Sequence, residues 1–199
     1  MAFTFFFRDL HSIERTLDLF IPLVTGKSVI KIWDAGCANG PEPYTLAILL
    51  NEKMNKFQFK NVKIICTDID LSNQFGDIIE KGIYSNEEVA RIPQDYLEKY
   101  FTKISDNKVQ VIDEIRNKLT FYKHDLLTLT SIGNDFSLIL CKNVLLHFTY
   151  EERIKVINMF YNSLSPNGLL VTEQTQKLPD EFKGKFEQVA SDAQIYKKL

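Results

Sequence analysis

One short stretch, WDAGCANGPEPYTLAILL at 33–50, gathers residues that could do chemistry: Asp34 closing an apolar run, Gly36 and Gly40, then Glu42 between two prolines. A strand, a glycine turn and a helix N-terminus in that order attract anions through backbone N–H groups and the helix dipole. The side chains here argue otherwise. Gly36 and Gly40 form G-x-x-x-G, not the G-x-G-x-x-G of a dinucleotide site, and Glu42 places a carboxylate in the first helical turn, where it repels pyrophosphate. A carboxylate at that point suits a cation. The common nucleoside ligand with positive charge and no phosphate is S-adenosylmethionine, which carries an ammonium and a sulfonium. Asp68, at the tip of the next strand, can accept hydrogen bonds from both ribose hydroxyls. It lies further from Gly40 than the roughly 20 residues of a minimal unit, which makes Asp70 an alternative. Asp125, in KHDLL, can accept from an adenine amino group or cap a helix; both readings stand.

Other chemistries find little support. Cys37, Cys66 and Cys141 form no C-x-x-C pair, so neither a disulfide framework nor a thiolate zinc site is expected. Cys37 lies in the glycine loop, but no histidine stands near it in sequence, and it reads as a small buried residue rather than a nucleophile. His11, His124 and His147 lack metal-ligand spacing, and no metal centre is expected.

These residues need elements to position them. VIKIWD (29–34), KIICTD (63–68), FSLILC (136–141) and GLLVTE (168–173) read as buried strands. Pro41 and Pro43 open a helix running to about Met54, and TYEERIKVINMFYNSL (149–164) begins with the capping box Thr149–Glu152. Residues 10–25 have a helical pattern. The alternation predicts an α/β fold, with a mostly parallel sheet, helices on both faces and ligands bound beyond the carboxyl ends of the strands. The informative residues cluster there: Asp34 to Gly40, Thr67 to Asp70, Asp125, and Lys142 to His147. Within 82–124, NEEVARIPQDYLEKYF reads as helical, and KVQVID with LTFYKHD reads as an inserted hairpin. The expected organisation is one domain, 1–199, with a small inserted subdomain at about 82–124. The aromatic FTFFFRD at the N-terminus belongs either to the site or to the core.

With 199 residues, 45% hydrophobic and 25% charged, the chain is expected to form one globular domain. A formal net charge of -2 offers no global basic field for nucleic acid or anionic lipid, so no nucleic-acid partner is expected. The apolar runs are strand-sized, and Arg8 and Asp9 interrupt what a secretory signal would need to keep apolar. The expectation is a cytoplasmic protein without membrane insertion.

TFFFR, WDAGCANGPEPYTLA, TDID, GIYS, KHDLL, CKNVLLHF and LSPNGLLV follow one another in the order and approximate spacing of the CheR family. The chain thus resembles the catalytic domain of the chemotaxis receptor methyltransferases from Thr4 to its C-terminus. The resemblance implies a Rossmann-like methyltransferase fold with a small antiparallel insertion, and S-adenosylmethionine as cofactor, with S-adenosylhomocysteine as product. It implies transfer to protein glutamate carboxylates, with a chemoreceptor cytoplasmic domain as the partner. By the same resemblance Thr4 and Arg8 reach the cofactor and line the transfer site, Glu42 takes the methionine ammonium, and Asp68 takes the ribose. Asp125 with Leu126 takes the adenine side, and Lys142 with Asn143 matches the family's Arg-Asn pair.

Several positions depart from the family. Pro41 stands where a glutamate is frequent, Lys142 replaces the arginine, and Ala2 lies where an asparagine often contacts the cofactor. His147 replaces a tyrosine beside the transfer site and can carry positive charge where tyrosine cannot. The family's helical domain ahead of T-x-F-F-R is not expected in this chain. Two alternatives follow: a methyltransferase acting on another protein or a small molecule, and a non-catalytic module that senses cofactor or product.

Overall fold

The computed structural model describes residues 4–175 and 177–199; Ala2 lies outside them. The first half of the chain runs α1 (Leu10–Leu23), β1 (Ile30–Ala35), α2 (Pro41–Lys53), α3 (Lys56–Lys60), β2 (Val62–Asp68), α4 (Phe75–Lys81), β3 (Ile83–Ser85) and α5 (Gln94–Tyr100). It continues with β4 (Phe101–Ser105), β5 (Lys108–Val111), α6 (Asp113–Arg116), β6 (Leu119–Lys123) and β7 (Phe136–Cys141). Last come α7 (Tyr150–Ser163), β8 (Leu164–Thr172), β9 (Phe186–Gln188) and β10 (Ile195–Lys198).

Seven strands form the main sheet in the order β6-β2-β1-β7-β8-β10-β9. The first five run parallel, and β10 and β9 close the edge in antiparallel fashion. Every residue of β7 is buried, as a parallel strand covered on both faces must be. Its side chains alternate between two cores. Leu138 and Leu140 pack with Leu17, Phe20 and Leu46 from α1 and α2, while Ile139 and Cys141 pack with Trp33 and with Val156 and Phe160 from α7. This is a doubly wound, Rossmann-like sheet. Its strand order reverses between β1 and β7, and that switch point opens a crevice at the carboxyl edge.

Two expectations need correction. The hairpin partners are β4 and β5, which with β3 form a separate antiparallel sheet, β3-β5-β4. LTFYK is not in that hairpin; it is β6, the edge strand of the main sheet, paired in parallel with β2 from Ile64↔Leu119 to Asp68↔Lys123. The helix expected from Asn86 is shorter as well. Pro93 disfavours helical backbone at Ile92, and Glu88 folds back to accept from the N–H and hydroxyl of Ser85 at 2.8 and 3.0 Å, so residues ahead of α5 form turns. The capping box at Thr149 is present, with Glu152 accepting from the Thr149 N–H at 2.8 Å. Among the described residues, no helix is long and apolar enough to cross a membrane.

Candidate cofactor and transfer site

The loop after β1 is built around two glycines. Gly36 has φ +99, and a β-carbon there would lie 2.2 Å from Val144 Cγ2, so the loop between β7 and α7 packs directly on its backbone. Gly40 has φ +105 and meets Tyr84 Oη, which donates to the Asn39 carbonyl at 2.7 Å and braces the loop from β3. The N–H groups of Gly36 and Cys37 donate to the Thr67 carbonyl at 2.7 and 3.0 Å, and that of Ala38 donates to Asp68 Oδ2 at 3.0 Å. Asp68 therefore joins the first two strand ends through one carboxylate, whose second oxygen accepts from the Asp70 N–H at 3.0 Å. Carboxylate oxygens hold two lone pairs each, so acceptor capacity toward the crevice remains.

A cavity of about 620 Å³ opens on this loop. Thr4 and Arg8 line it from the N-terminal segment, Gly36 and Glu42 from the glycine loop and α2, and Asp68 from β2. Asp125 and Leu126 enter after β6; Lys142, Asn143 and His147 enter after β7. Thr4, Arg8, Gly36, Glu42, Asp68, Asp125, Leu126, Lys142, Asn143 and His147 thus lie on one cavity, and Asp70 does not. Asp125 keeps both of its readings: it lines the cavity, and its side chain accepts from the Leu127 N–H at 2.8 Å. Asp70, the alternative acid, is placed differently. It lies outside this cavity, and its carboxylate accepts from Ser72 and from the Gln74 and Phe75 N–H groups ahead of α4. Burial raises the pKa of Asp70, but those hydrogen bonds outweigh it and leave the carboxyl below its ordinary range. The aromatic N-terminus has a double role. Phe6 is buried edge-on against Tyr84 and Phe101, at 4.9 and 5.6 Å between ring centres, while Thr4 and Arg8 face the cavity.

The floor of the cavity is electrically unusual. Lys142, its side chain only 2% exposed, sits 3.3 Å from Glu42 Oε2 and 3.2 Å from Asp9 Oδ2, at ion-pair distance but without hydrogen-bond geometry. Asp34 lies behind them, 1% exposed, and neither of its oxygens has a hydrogen-bond partner among the described residues. Burial, followed by the nearby Glu42 charge, pushes the Asp34 carboxyl well up against the pull of Lys142. Burial also raises Glu42, again opposed by Lys142. Asp9 and Glu42, both at ion-pair distance from the one ammonium, leave acidic capacity for a further cation. Sequence reasoning left Asp34 and Asp9 without a role; the signal for Asp34 was an acid inside a strand otherwise patterned for burial, and Asp9 gave none. Cys37 lines the cavity, but burial, and then contact with the Cys66 thiol, pushes its own thiol well up and keeps it protonated.

Residues 2–195 match the model of the CheR methyltransferase SAM-binding domain. The chain belongs to the CheR methyltransferase family. It is 32% identical over 186 residues to the chemotaxis protein methyltransferase of Borreliella burgdorferi, covering 88% of this chain and 64% of that protein. It is 30% identical over 184 residues to chemotaxis protein methyltransferase 2 of Vibrio cholerae, covering 88% and 62%. Against chemotaxis protein methyltransferase 1 of the same organism it is 29% identical over 198 residues, covering 98% and 72%. The chain therefore spans less than two-thirds of the length of the first two relatives. Its cofactor is S-adenosylmethionine, as the matched domain implies. The residues present fit that cofactor: an acidic floor facing a glycine turn with no room for a β-carbon, and apolar walls from Ile69, Leu126 and Leu127 on the side of β2 and β6.

Proposed function

We propose that the chain is the catalytic domain of a cytoplasmic O-methyltransferase that transfers methyl from S-adenosylmethionine to glutamate side chains of a protein, a chemoreceptor cytoplasmic domain. In this reading it works as one domain with a small inserted subdomain, which ends ahead of β6 rather than at residue 124. The observation that carries the reading is the convergence of Glu42, Asp68, Asp125 and Arg8 on a single cavity at the sheet's switch point. Glu42 takes the methionine ammonium, Asp68 the ribose, and Asp125 with Leu126 the adenine. Thr4, Gly36, Lys142 and Asn143 complete the cofactor side.

The cofactor supplies a methyl group on a sulfonium, an already activated leaving group. What remains for the chain is alignment and exclusion of water. A glutamate acceptor, with a reference pKa of about 4.3, is an anion at neutral pH and needs no general base. Arg8 orients that carboxylate through a two-pronged contact, and His147, which lines the same cavity, adds a second polar group. Leu146 and Phe148 line the same side and keep it apolar.

The test joins calorimetric titration with S-adenosylhomocysteine to incorporation of radiolabelled methyl into chemoreceptor-rich membranes. Saturable binding and base-labile label in the receptor are expected, and Arg8→Ala removes the label while the fold survives. Binding without label in any fraction assigns the chain to a sensing module. Label in another acceptor replaces the substrate and keeps the chemistry. No binding at all removes the reading.

A further inference from the structure

Glu173 follows the last residue of β8, on the same edge of the sheet as the cavity, but does not line it. It is 3% exposed, and neither carboxylate oxygen has a hydrogen-bond partner among the described residues. The parallel pairing of Cys141 with Thr172 sets Glu173 beside the segment that follows β7. The N–H groups of Glu173 itself and of Asn143, the Arg153 charge and the Leu146 N–H each favour its ionised form. Burial outweighs all of these and raises its pKa.

A buried carboxylate with incomplete hydrogen bonding is costly, and an apolar side chain of similar volume in such a position is often neutral or stabilising. Stability therefore does not explain a glutamate here. What it faces does. Asn143 and Leu146 belong to the segment Lys142–Phe148, which supplies a large share of the cavity wall, including His147. That segment is irregular: Asn143 has φ 60, and one 3-10 turn, Leu145–His147, is its only regular element. Few backbone bonds of its own hold it in place.

We propose that Glu173 is a positioning residue of the transfer site, drawing the N–H groups of Asn143 and Leu146 toward β8 and so fixing where Asn143 and His147 enter the cavity. This rests on the cavity being the S-adenosylmethionine site. A merely structural glutamate and a positioning one differ in a measurable way. In the first case stability and ligand affinity fall together on substitution; in the second they separate.

The experiment uses the whole chain with Glu173→Leu and Glu173→Gln, thermal melting without ligand, and calorimetric titration with S-adenosylhomocysteine. Glu173→Leu is expected to melt at or above the wild-type temperature while its affinity falls about tenfold. Glu173→Gln, whose amide oxygen keeps an acceptor facing both N–H groups, is expected to recover most of that affinity. Wild-type affinity in Glu173→Leu, or a parallel fall of affinity and melting temperature, overturns the proposal. Should the wild-type chain bind no S-adenosylhomocysteine, the cavity reading fails and amide exchange at 143–147 decides this one. Faster exchange in Glu173→Leu than in Glu173→Gln supports it; equal rates sink it.

Discussion

The two sheets of this chain treat polar groups differently. At the carboxyl edge of the main sheet, Asp34, Lys142 and Glu173 are buried with incomplete hydrogen bonding. In the sheet β3-β5-β4, Thr102 to Ser105 are exposed, and Lys103 pairs with Asp106 at 3.0 Å in full contact with solvent. Both regions fold in the same water under the same rules, so the contrast reflects use rather than chance. Buried ionisable groups without full compensation gather at functional sites, whereas exposed surface pairs are nearly neutral to folding. One hydrogen bond, Tyr84 Oη to the Asn39 carbonyl, ties the quieter sheet to the glycine loop.

The contrast can be broken at the site first. Gly36→Ala puts a β-carbon 2.2 Å from Val144 Cγ2 at φ +99, a clash added to backbone strain. We expect a loss of roughly 2–5 kcal/mol in unfolding free energy, together with loss of S-adenosylhomocysteine binding. Denaturant unfolding and calorimetry check it, and a wild-type midpoint would show that the loop yields freely. Next comes Glu42→Gln. It removes the charge facing the ligand but leaves Asp9 beside Lys142, so affinity is expected to fall about 10- to 100-fold with little change in melting temperature. Unchanged affinity would detach the acidic floor from ligand binding.

The same floor predicts a pH dependence. Asp34, Glu42 and Glu173 all have carboxyls raised in the folded chain, mainly by burial. Above the ordinary carboxylate range of about 4 the unfolded chain has released these protons while the folded chain still holds them, so stability falls as pH rises toward the raised values. Each group contributes at most about 1.4 kcal/mol per pH unit. Asp70 and Glu152 have lowered carboxyls; their stabilisation is present above that range and lost only in acid. As pH rises above the ordinary carboxylate range, the ligand-free chain is therefore expected to lose stability with a slope that Asp34→Asn reduces. Parallel melting profiles for the two proteins would mean that Asp34 does not titrate in this window.

Much of this arrangement was legible because its determinants are local. Strand periodicity, the prolines after Gly40 and the Thr149 capping box are read within a few residues, and the strand-end rule then puts Asp68, Asp125 and Lys142 on one edge. The errors were non-local. LTFYK has the same alternation whether it pairs with KVQV or with β2, and the packing of α4 against β6 accompanies the second pairing. Asp70 and Asp68 are interchangeable on paper; the turn into α4 captures one of them. The short strands β9 and β10 pair only through tertiary contact and carry no strong pattern. Asp9 meets Lys142 at 3.2 Å although the two lie far apart in the sequence, a separation no motif spans.

The smallest expected effect completes the comparison. Lys103→Ala removes an ion pair whose side chains are 67% and 104% exposed, where Coulomb attraction is screened and side-chain entropy opposes it. Its melting temperature should stay within about 2 °C of wild type, with S-adenosylhomocysteine affinity unchanged. Tyr84→Phe, in the same sheet, removes only a hydroxyl yet should weaken ligand binding several-fold, because that hydroxyl holds the glycine loop at Asn39. If Lys103→Ala weakened binding as much as Tyr84→Phe, the inserted sheet would act on the site as a body rather than through one hydrogen bond. Its exposed polar face would then belong to the working surface of the molecule.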